Sequence, residues 1–164
     1  MRRVVLLLMV VVLFFGVVGC GGGVEQASNL EGSLEEILDK IYETAATSEQ
    51  FKEFSAKGLF TTEITDENIE HYFGTKNVDY EAAIGSEPMI MPNAYSLCLL
   101  RAKEGADIEK IKSEIKENVD PRKWICVGVD PSNVVVDNIG DVIILIMSDR
   151  EGKALHEAFL ELAE

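Results

Sequence analysis

Six consecutive apolar residues, Val142 to Met147 (VIILIM), constrain the fold of this chain more than any other stretch. Successive side chains of a β-strand point to opposite faces, so such a strand is apolar on both of its faces. Strands of this kind lie in the middle of a sheet. The sequence therefore predicts a sheet-containing protein in which this strand is central.

Helical patterns flank this strand and fill much of the chain before it. Ser33 and Glu36 form an S-x-x-E capping box, and Asp107 is placed to cap a helix whose apolar stripe starts at Ile108. The expected helices are 33–46, a short helix or turn over 51–60 closed by Gly58, 65–74, one from Asp107 to about Pro121, and a last one that begins near Asp149.

Three further segments have strand character, and a fourth is ambiguous. The expected strands are 79–86 at an edge of the sheet, 94–102 and 133–139, whereas 123–129 fits either a strand or an extension of the preceding helix. From Ala94 onward the order is β-α-β-β-α, after a helical N-terminal segment. This order predicts an α+β fold with helices packed on one face of a mostly antiparallel sheet, similar to a ferredoxin-like unit. Such a fold carries many unrelated functions and implies none of them.

The N-terminus has the pattern of a secretion signal. Arg2 and Arg3 precede an apolar run of 15 residues, 4–18, that only Gly16 interrupts. This length is typical of a signal peptide, since a membrane-spanning helix needs about 20 residues. The run ends in Val17-Val18-Gly19-Cys20, which resembles the lipobox of bacterial lipoprotein precursors. Cleavage before Cys20 would leave a thiol and an amine that both accept acyl lipid, and two or more chains anchor a protein stably.

The expected organisation has three parts. Residues 1–19 form the signal peptide, and residues 20–32 contain the lipidated Cys20 and a flexible, glycine-rich tether. Residues 33–164 form one acidic α+β domain, a length that suits a single domain. The expected location is the extracytoplasmic face of the cell membrane, where lipid on Cys20 holds the protein.

Acidic residues dominate the composition. The chain has 15 basic and 29 acidic residues, a net charge of −14, and loss of Arg2 and Arg3 with the signal peptide would bring the mature chain to −16. A body this acidic is repelled by phosphate backbones and by anionic lipid headgroups. Composition therefore argues against nucleic acid as a partner, and it leaves membrane attachment to the lipid.

Two cysteines remain after Cys20. Cys98 and Cys126 each lie in an apolar stretch, and an extracytoplasmic compartment permits a disulfide between them. Free cysteine packs well as a small apolar side chain, so we expect two buried thiols rather than a bridge.

Neither histidine stands in a metal-binding pattern. Glu67 and His71 share a helix face, but no third ligand is adjacent in sequence. His156 begins a His-Glu pair, yet Leu160 stands where a zinc-protease helix needs its second histidine. We therefore expect neither a metal nor a cofactor.

Other apparent motifs also lack the residues that their chemistry needs. The acidic stretch 130–141 does not follow the calcium-loop pattern, and Asp130-Pro131 is typical of a turn. Ser113 and Lys116 match S-x-x-K without the accompanying β-lactamase motifs. We therefore expect no catalytic residues.

Trp124 is the one candidate contact residue. It lies in the only basic, aromatic stretch of an acidic chain, 121–128, and an exposed indole there would suit a ligand or partner. The alternative, which burial statistics favour, is a core tryptophan at the junction after a helix.

Several loose features of the chain occur together in a known family. They are Ile41-Tyr42 in an early helix, 85–92 (GSEPMIMP) ahead of a strand and helix, and a late turn with Gly140 before VIILIM and Ser148-Asp149. On these features the stretch from Ser33 to the end resembles a family of lipoproteins found mainly in Gram-positive gut bacteria, domain of unknown function 4358. The resemblance implies a lipid-anchored surface domain and supplies no activity or site residues.

The function these features favour is a non-enzymatic module at the cell surface. Its partner would be another protein, an envelope polymer or a small solute. One alternative is a carboxylate-based envelope hydrolase, with a site assembled from distant Asp and Glu residues. Another is a structural subunit of an envelope complex, which an exposed apolar patch would favour.

Overall fold

The computed structural model describes residues 29–163. The expected signal peptide, Cys20 and the first residues of the expected tether lie outside this range. Within 29–163, no helix is both long enough and apolar enough to cross a membrane.

The fold is built on a five-stranded sheet in which all neighbouring strands are antiparallel. The strands are β1 (Leu59–Glu63), β2 (Tyr80–Pro88), β3 (Ser96–Ala102), β4 (Val134–Ile139) and β5 (Val142–Met147). They lie in the order β1-β2-β3-β5-β4. The α+β class and the antiparallel sheet are confirmed, and β5 lies in the interior of the sheet, as its apolar sequence predicts.

Five α-helices lie within the described range. They are α1 (Leu34–Thr44), α2 (Glu49–Lys57), α3 (Ile69–Phe73), α4 (Ile108–Asn118) and α5 (Gly152–Leu160). Three of them, α1, α2 and α4, begin after a residue whose side chain caps the helix. Ser33 Oγ accepts the Glu36 N–H at 3.2 Å while the Glu36 carboxylate accepts the Ser33 N–H at 3.1 Å. Asp107 accepts the Lys110 N–H at 3.0 Å and so caps α4.

Helices cover both faces of the sheet. On β5, Ile144 and Ile146 pack with α1, α2 and α5, whereas Ile143 and Leu145 pack with α3 and α4. The sequence pattern predicts helices on one face only, and the structure differs by the layer of α3 and α4. The physical reason is β5 itself, because leaving either of its apolar faces bare would expose a continuous apolar surface to water.

The predicted β-α-β-β-α order is present as β3-α4-β4-β5-α5. β5 lies between β3 and β4, which are parallel to each other because both are antiparallel to β5. This is the arrangement of a split βαβ unit. In contrast to the expected one-sided packing, α4 and α5 lie on opposite faces of these strands.

One strand is not indicated by the sequence pattern. Leu59 and Phe60, expected in a helix or turn, begin β1, although Gly58 does end α2 as expected. β1 pairs along its whole length with β2, so β2 is an interior strand and not the predicted edge. Five residues of mixed polarity do not by themselves indicate a strand. The pairing with β2 stabilises the strand conformation of this segment.

The sheet has two ends that differ in their neighbours. We call the end at the β4–β5 turn, with Ala102 and Tyr80, the Gly140 end, and the end where β5 leaves the sheet, with Ser96 and Pro88, the Ser148 end. β3 runs seven residues between them, a length of about 20 Å at the usual rise per residue.

The first described residues are held against the Gly140 end. Arg101 Nη2 donates to the Leu30 carbonyl at 3.0 Å, and the Asp141 N–H donates to Asn29 Oδ1 at 3.2 Å. Gly140 has φ of 54°, and a side chain there would collide with Asn29. The last residues of the expected tether are therefore part of the folded unit, and the chain enters the domain at the Gly140 end.

Candidate functional site

A cleft of about 370 Å³ opens at the Ser148 end of the sheet. It lies between α2, the start of β3 and the turn that joins β5 to α5. Its lining residues are Ser48, Gln50, Phe51, Phe54, Asn93, Ala94, Tyr95, Ser148, Asp149, Arg150 and Glu151. These residues come from three separate parts of the chain, so only the folded structure brings them together.

The floor of the cleft is aromatic. The ring centroids of Phe51 and Tyr95 are 5.3 Å apart, and the ring of Phe54 lies 6.1 Å from Phe51 and 6.3 Å from Tyr95. The tilted and edge-on orientations are those that aromatic pairs prefer. The three rings give the cleft a rigid apolar base.

A chain of hydroxyl groups lies beneath this floor. The Tyr42 hydroxyl donates to Ser86 Oγ at 2.8 Å and lies 2.9 Å from the Tyr95 hydroxyl. Because Tyr42 gives its only proton to Ser86, Tyr95 is the donor to Tyr42. Burial raises the pKa of Tyr42 to about 12 and that of Tyr95 well above its ordinary value. Both phenols therefore stay protonated and position the floor without serving as bases.

The rim begins with a hydrogen bond between α2 and the turn before α5. Ser48 Oγ accepts the Phe51 N–H at 3.2 Å as the cap of α2, and it donates to Glu151 Oε1 at 2.6 Å. The Glu151 N–H in turn donates to Ser148 Oγ at 3.1 Å. The serine is thus fixed by a helix cap and a carboxylate, and no histidine among the described lining residues could activate it.

The opposite part of the rim is fixed to the β4 side of the sheet. Asp149 Oδ1 accepts the Asp130 N–H at 2.8 Å and Asn133 Nδ2 at 2.9 Å. Asp130 accepts from the side chain and the N–H of Ser132, which lowers the pKa of Asp130. The turn expected at Asp130 is therefore present, and its hydrogen bonds hold Asp149 at the rim.

Two lining residues remain available for a ligand. Gln50 and Arg150 are exposed, and neither forms a hydrogen bond or ion pair with another residue in 29–163. With the carboxylates of Asp149 and Glu151 beside them, they give the rim groups of both charges. An apolar floor with a few polar groups around it is the usual composition of a small-molecule site.

Trp124 is a core residue, the alternative that burial statistics favoured, and not the exposed contact residue of the candidate site. Its side chain is only 8% exposed and packs with Ile111 and Ile115 of α4. The segment around it, 121–130, is neither strand nor helix but a loop with turns. The indole is buried because this loop covers the part of the sheet face that α4 leaves open. Trp124 is therefore not available to contact a ligand or partner.

The expectation of two buried thiols holds for Cys98 alone. Cys98 is buried in β3, whereas Cys126 is exposed and both are free. Cys126 has φ of 64°, a loop conformation in which Trp124 turns inward while Ile125 and Cys126 face water. Burial raises the pKa of Cys98 to about 11, against the opposing effects of Lys123 and Ser96, so this thiol is inert at neutral pH.

A buried ion pair lies on the far side of the sheet from the cleft. Lys123 Nζ is 2.6 Å from Glu87 Oε1. The two groups form an ion pair, but their angles are not those of a hydrogen bond. The ammonium also lies 4.9 Å from the ring centre of Tyr72 and 5.4 Å from that of Trp124. His71 reaches Glu87 at 3.9 Å and pairs with it rather than with Glu67. Both side chains are buried, so we assign this pair to the packing of the loop.

His156 belongs to a polar cluster on β4. Its Nε2 lies 2.8 Å from Asp137 Oδ2, and Lys112 of α4 lies 3.7 Å from the other oxygen of Asp137. Within 29–163, no three histidine, cysteine or carboxylate side chains stand close enough to hold a metal ion. The cluster joins both helical layers to the edge of the sheet.

The cleft is not recognisable in the sequence, because its lining residues are isolated polar or aromatic residues that belong to no motif. Ser48 and Glu151 are 103 positions apart, and Tyr95 reads as one more apolar residue of a strand. The one available signal is Ser48 ahead of Glu49, which is typical of a helix cap. Cys20, the proposed lipid site, lies outside the described residues.

Comparison of the chain with protein-family models, with curated proteins and with solved structures gave no match. The resemblance to the lipoprotein family thus rests on the residues quoted above. Several of them meet at the Ser148 end, since Tyr42 bonds Ser86 beneath the cleft, and Ser148 and Asp149 line it.

Proposed function

We propose that this protein is a lipid-anchored module on the extracytoplasmic face of a membrane, and that it binds its ligand in the cleft at the Ser148 end. The ligand is a small solute, or a short part of an envelope polymer or protein. The proposal includes membership of the lipoprotein family that the sequence resembles. It assigns the protein a binding role and no catalytic one.

The observation that carries the binding role is the construction of the cleft. Its volume of about 370 Å³ falls within the usual range for small-molecule sites. Hydrogen bonds from Ser48 and Asn133 hold its carboxylates in place before a ligand arrives, and Ser148 accepts the Glu151 N–H. A site that needs no rearrangement loses little conformational entropy on binding.

The geometry of the domain supports the anchored arrangement. The chain enters at the Gly140 end, whereas the cleft opens at the Ser148 end, about 20 Å away along β3. A lipid on Cys20 would therefore hold one end of the sheet toward the membrane and leave the cleft on the other side.

A thermal-shift screen with matched variants tests the binding role. Amino acids, amines, sugars, nucleosides and cell-wall fragments are added to the protein, and a ligand at 100 times its dissociation constant stabilises it by about 2.7 kcal/mol, several degrees for this size. Arg150→Ala and Gln50→Ala should abolish the shift. Lys153→Ala, an exposed change on α5 outside the cleft, should keep it. A shift that all three variants retain would place the ligand elsewhere.

Membrane fractionation tests the anchor separately. Cys20→Ala should move the protein out of the membrane fraction, while the ligand-induced shift remains. Retention of the full-length variant in the membrane would contradict lipid attachment. Turnover of any ligand in the screen would instead favour a hydrolase.

A further inference from the structure

The two edges of the sheet are protected unequally. At the β4 edge, the charged side chains of Lys112 and Asp137 meet His156 across the strand, so that both helical layers contribute. Charges placed in this way oppose the addition of another strand. At the other edge, β1 is the last strand, and no other segment within 29–163 pairs with its outer side.

The register identifies the groups that the open edge presents. Met89 N–H donates to the Gly58 carbonyl at 2.9 Å, and Ile64 N–H donates to the Ala83 carbonyl at 2.8 Å. Hydrogen-bonded and non-bonded pairs alternate along an antiparallel ladder, so the even-numbered residues of β1 bond to β2. The N–H and C=O groups of Leu59, Thr61 and Glu63 therefore point away from the sheet.

The side chains beside this edge change character along it. Toward the Ser148 end, Phe60 is 42% exposed, and the loop after β2 carries Met89, Ile90 and Met91, with Ile90 74% exposed. Toward the Gly140 end, an open hollow of about 470 Å³ adjoins β1. Its lining includes four carboxylates and one cation, Arg101, whose guanidinium donates to the Leu30 and Gly32 carbonyls; the carboxylates are Glu35, Glu63, Asp66 and Glu81.

We propose that β1 receives an extended segment of another protein, which adds a sixth strand to the sheet. The backbone of the segment pairs with Leu59, Thr61 and Glu63, an apolar side chain lies against Phe60, and a lysine or arginine lies against Glu63. Strand addition of this kind takes affinity from the backbone and specificity from the flanking side chains. The acidic hollow supplies the charge complementarity for the basic residue.

A second copy of the chain fits this edge poorly. Antiparallel self-pairing centred on Thr61 would place each Glu63 beside Leu59 of the other copy. It would also bring together two bodies that each carry a net charge of −14. A basic partner gains from the same charges that oppose self-association.

The test uses the full chain in mild detergent and a fluorescent, end-capped peptide, Lys-Val-Thr-Phe-Val, which aligns its lysine with Glu63 and its phenylalanine with Phe60. Fluorescence anisotropy gives the affinity, and hydrogen exchange locates the peptide. Thr61→Pro removes one outward N–H without breaking the ladder to β2, because edge strands tolerate proline on the solvent side. Thr61→Ala keeps that N–H and serves as the control.

Binding should protect the amides of Leu59, Thr61 and Glu63 from exchange. Thr61→Pro should weaken binding about tenfold and Thr61→Ala by less than about twofold, and a peptide with glutamate in place of lysine should bind several-fold more weakly. Absence of peptide binding, or equal affinity for both variants, would overturn the proposal. Protection of these amides without peptide would also overturn it, and sedimentation would then show whether a second copy covers the edge.

Discussion

Tyr42 and Tyr95 show how single polar groups are accommodated beneath the candidate cleft. Tyr95 is buried and Tyr42 is partly buried, and each hydroxyl has a partner in the series of hydrogen bonds from Tyr95 through Tyr42 to Ser86. A buried hydroxyl without a partner costs about 1–3 kcal/mol, so the order of donors in this chain determines which substitution does more harm.

We predict that Tyr42→Phe destabilises the protein more than Tyr95→Phe. Tyr42→Phe leaves the buried Tyr95 hydroxyl without its acceptor and should cost about 2 kcal/mol, whereas Tyr95→Phe removes the donor at the end of the chain and should cost about 1 kcal/mol. Urea unfolding of both variants measures the difference. The double variant should cost less than the sum of the two, and simple additivity would show that the hydroxyls are not coupled.

The two free thiols should differ sharply in reactivity. A membrane-impermeant maleimide applied to intact cells should label Cys126, which is exposed, and should not reach Cys98 before denaturation. Cys126→Ser is the control and should abolish labelling of the folded protein. Labelling that appears only after cell lysis would contradict the extracytoplasmic location.

At the scale of the element, β4 is an edge strand, and the charge of Asp137 opposes the addition of another strand to it. Burial of Asp137 works to raise its pKa, but hydrogen bonds from His156 and from the Asn138 N–H, with the charges of His156 and Lys112, outweigh it and lower the pKa. A carboxylate with a lowered pKa stabilises the fold at pH values above its unfolded pKa. That stabilisation disappears as the pH falls through the folded value.

We predict that Asp137→Asn lowers the free energy of unfolding at pH 7. Below about pH 4, the ordinary pKa of aspartate, the free energies of unfolding of the variant and the unaltered protein should become more similar. Because Asp137 is about one third exposed, solvent screens its interactions and the effect is moderate. Urea midpoints at pH 7 and pH 3 measure it. Glu104→Gln, in an exposed turn, should show no such dependence on pH.

At the scale of the whole molecule, β5 makes the two helical layers one cooperative unit. Its alternate side chains belong to the two apolar clusters on opposite faces of the sheet, and all six are buried. Neither layer retains its core if the other leaves the sheet. We therefore expect residues 29–163 to unfold in one transition.

Ile143→Ala and Ile144→Ala form a matched pair that tests this cooperativity. The two neighbours face opposite clusters and are both fully buried, so each substitution should cost about 2–5 kcal/mol. Each variant should keep a single transition that coincides by circular dichroism and tryptophan fluorescence. Two separate transitions in either variant would mean that the layers unfold independently.

The sequence determined the local elements because local rules govern them. The caps at Ser33 and Asp107 and the apolar run of β5 each carry their signal within a few residues, and all three are present in the structure. The α+β class followed from the order of such segments. The strand β1 was missed, since its conformation depends on pairing with residues that follow it in the chain by about 25 positions.

Only the tertiary structure decided how these elements were layered and what they enclosed. Because β5 is apolar on both faces, a layer of helices must pack on each face. No local pattern indicates which helix packs on which face. The cleft likewise depends on contacts between distant residues, such as Ser48 with Glu151. The burial of Trp124 depends on a loop that covers the sheet face beside α4. Periodicity and capping act along the chain, whereas packing and polar pairing act through space, and the candidate site was formed by the latter.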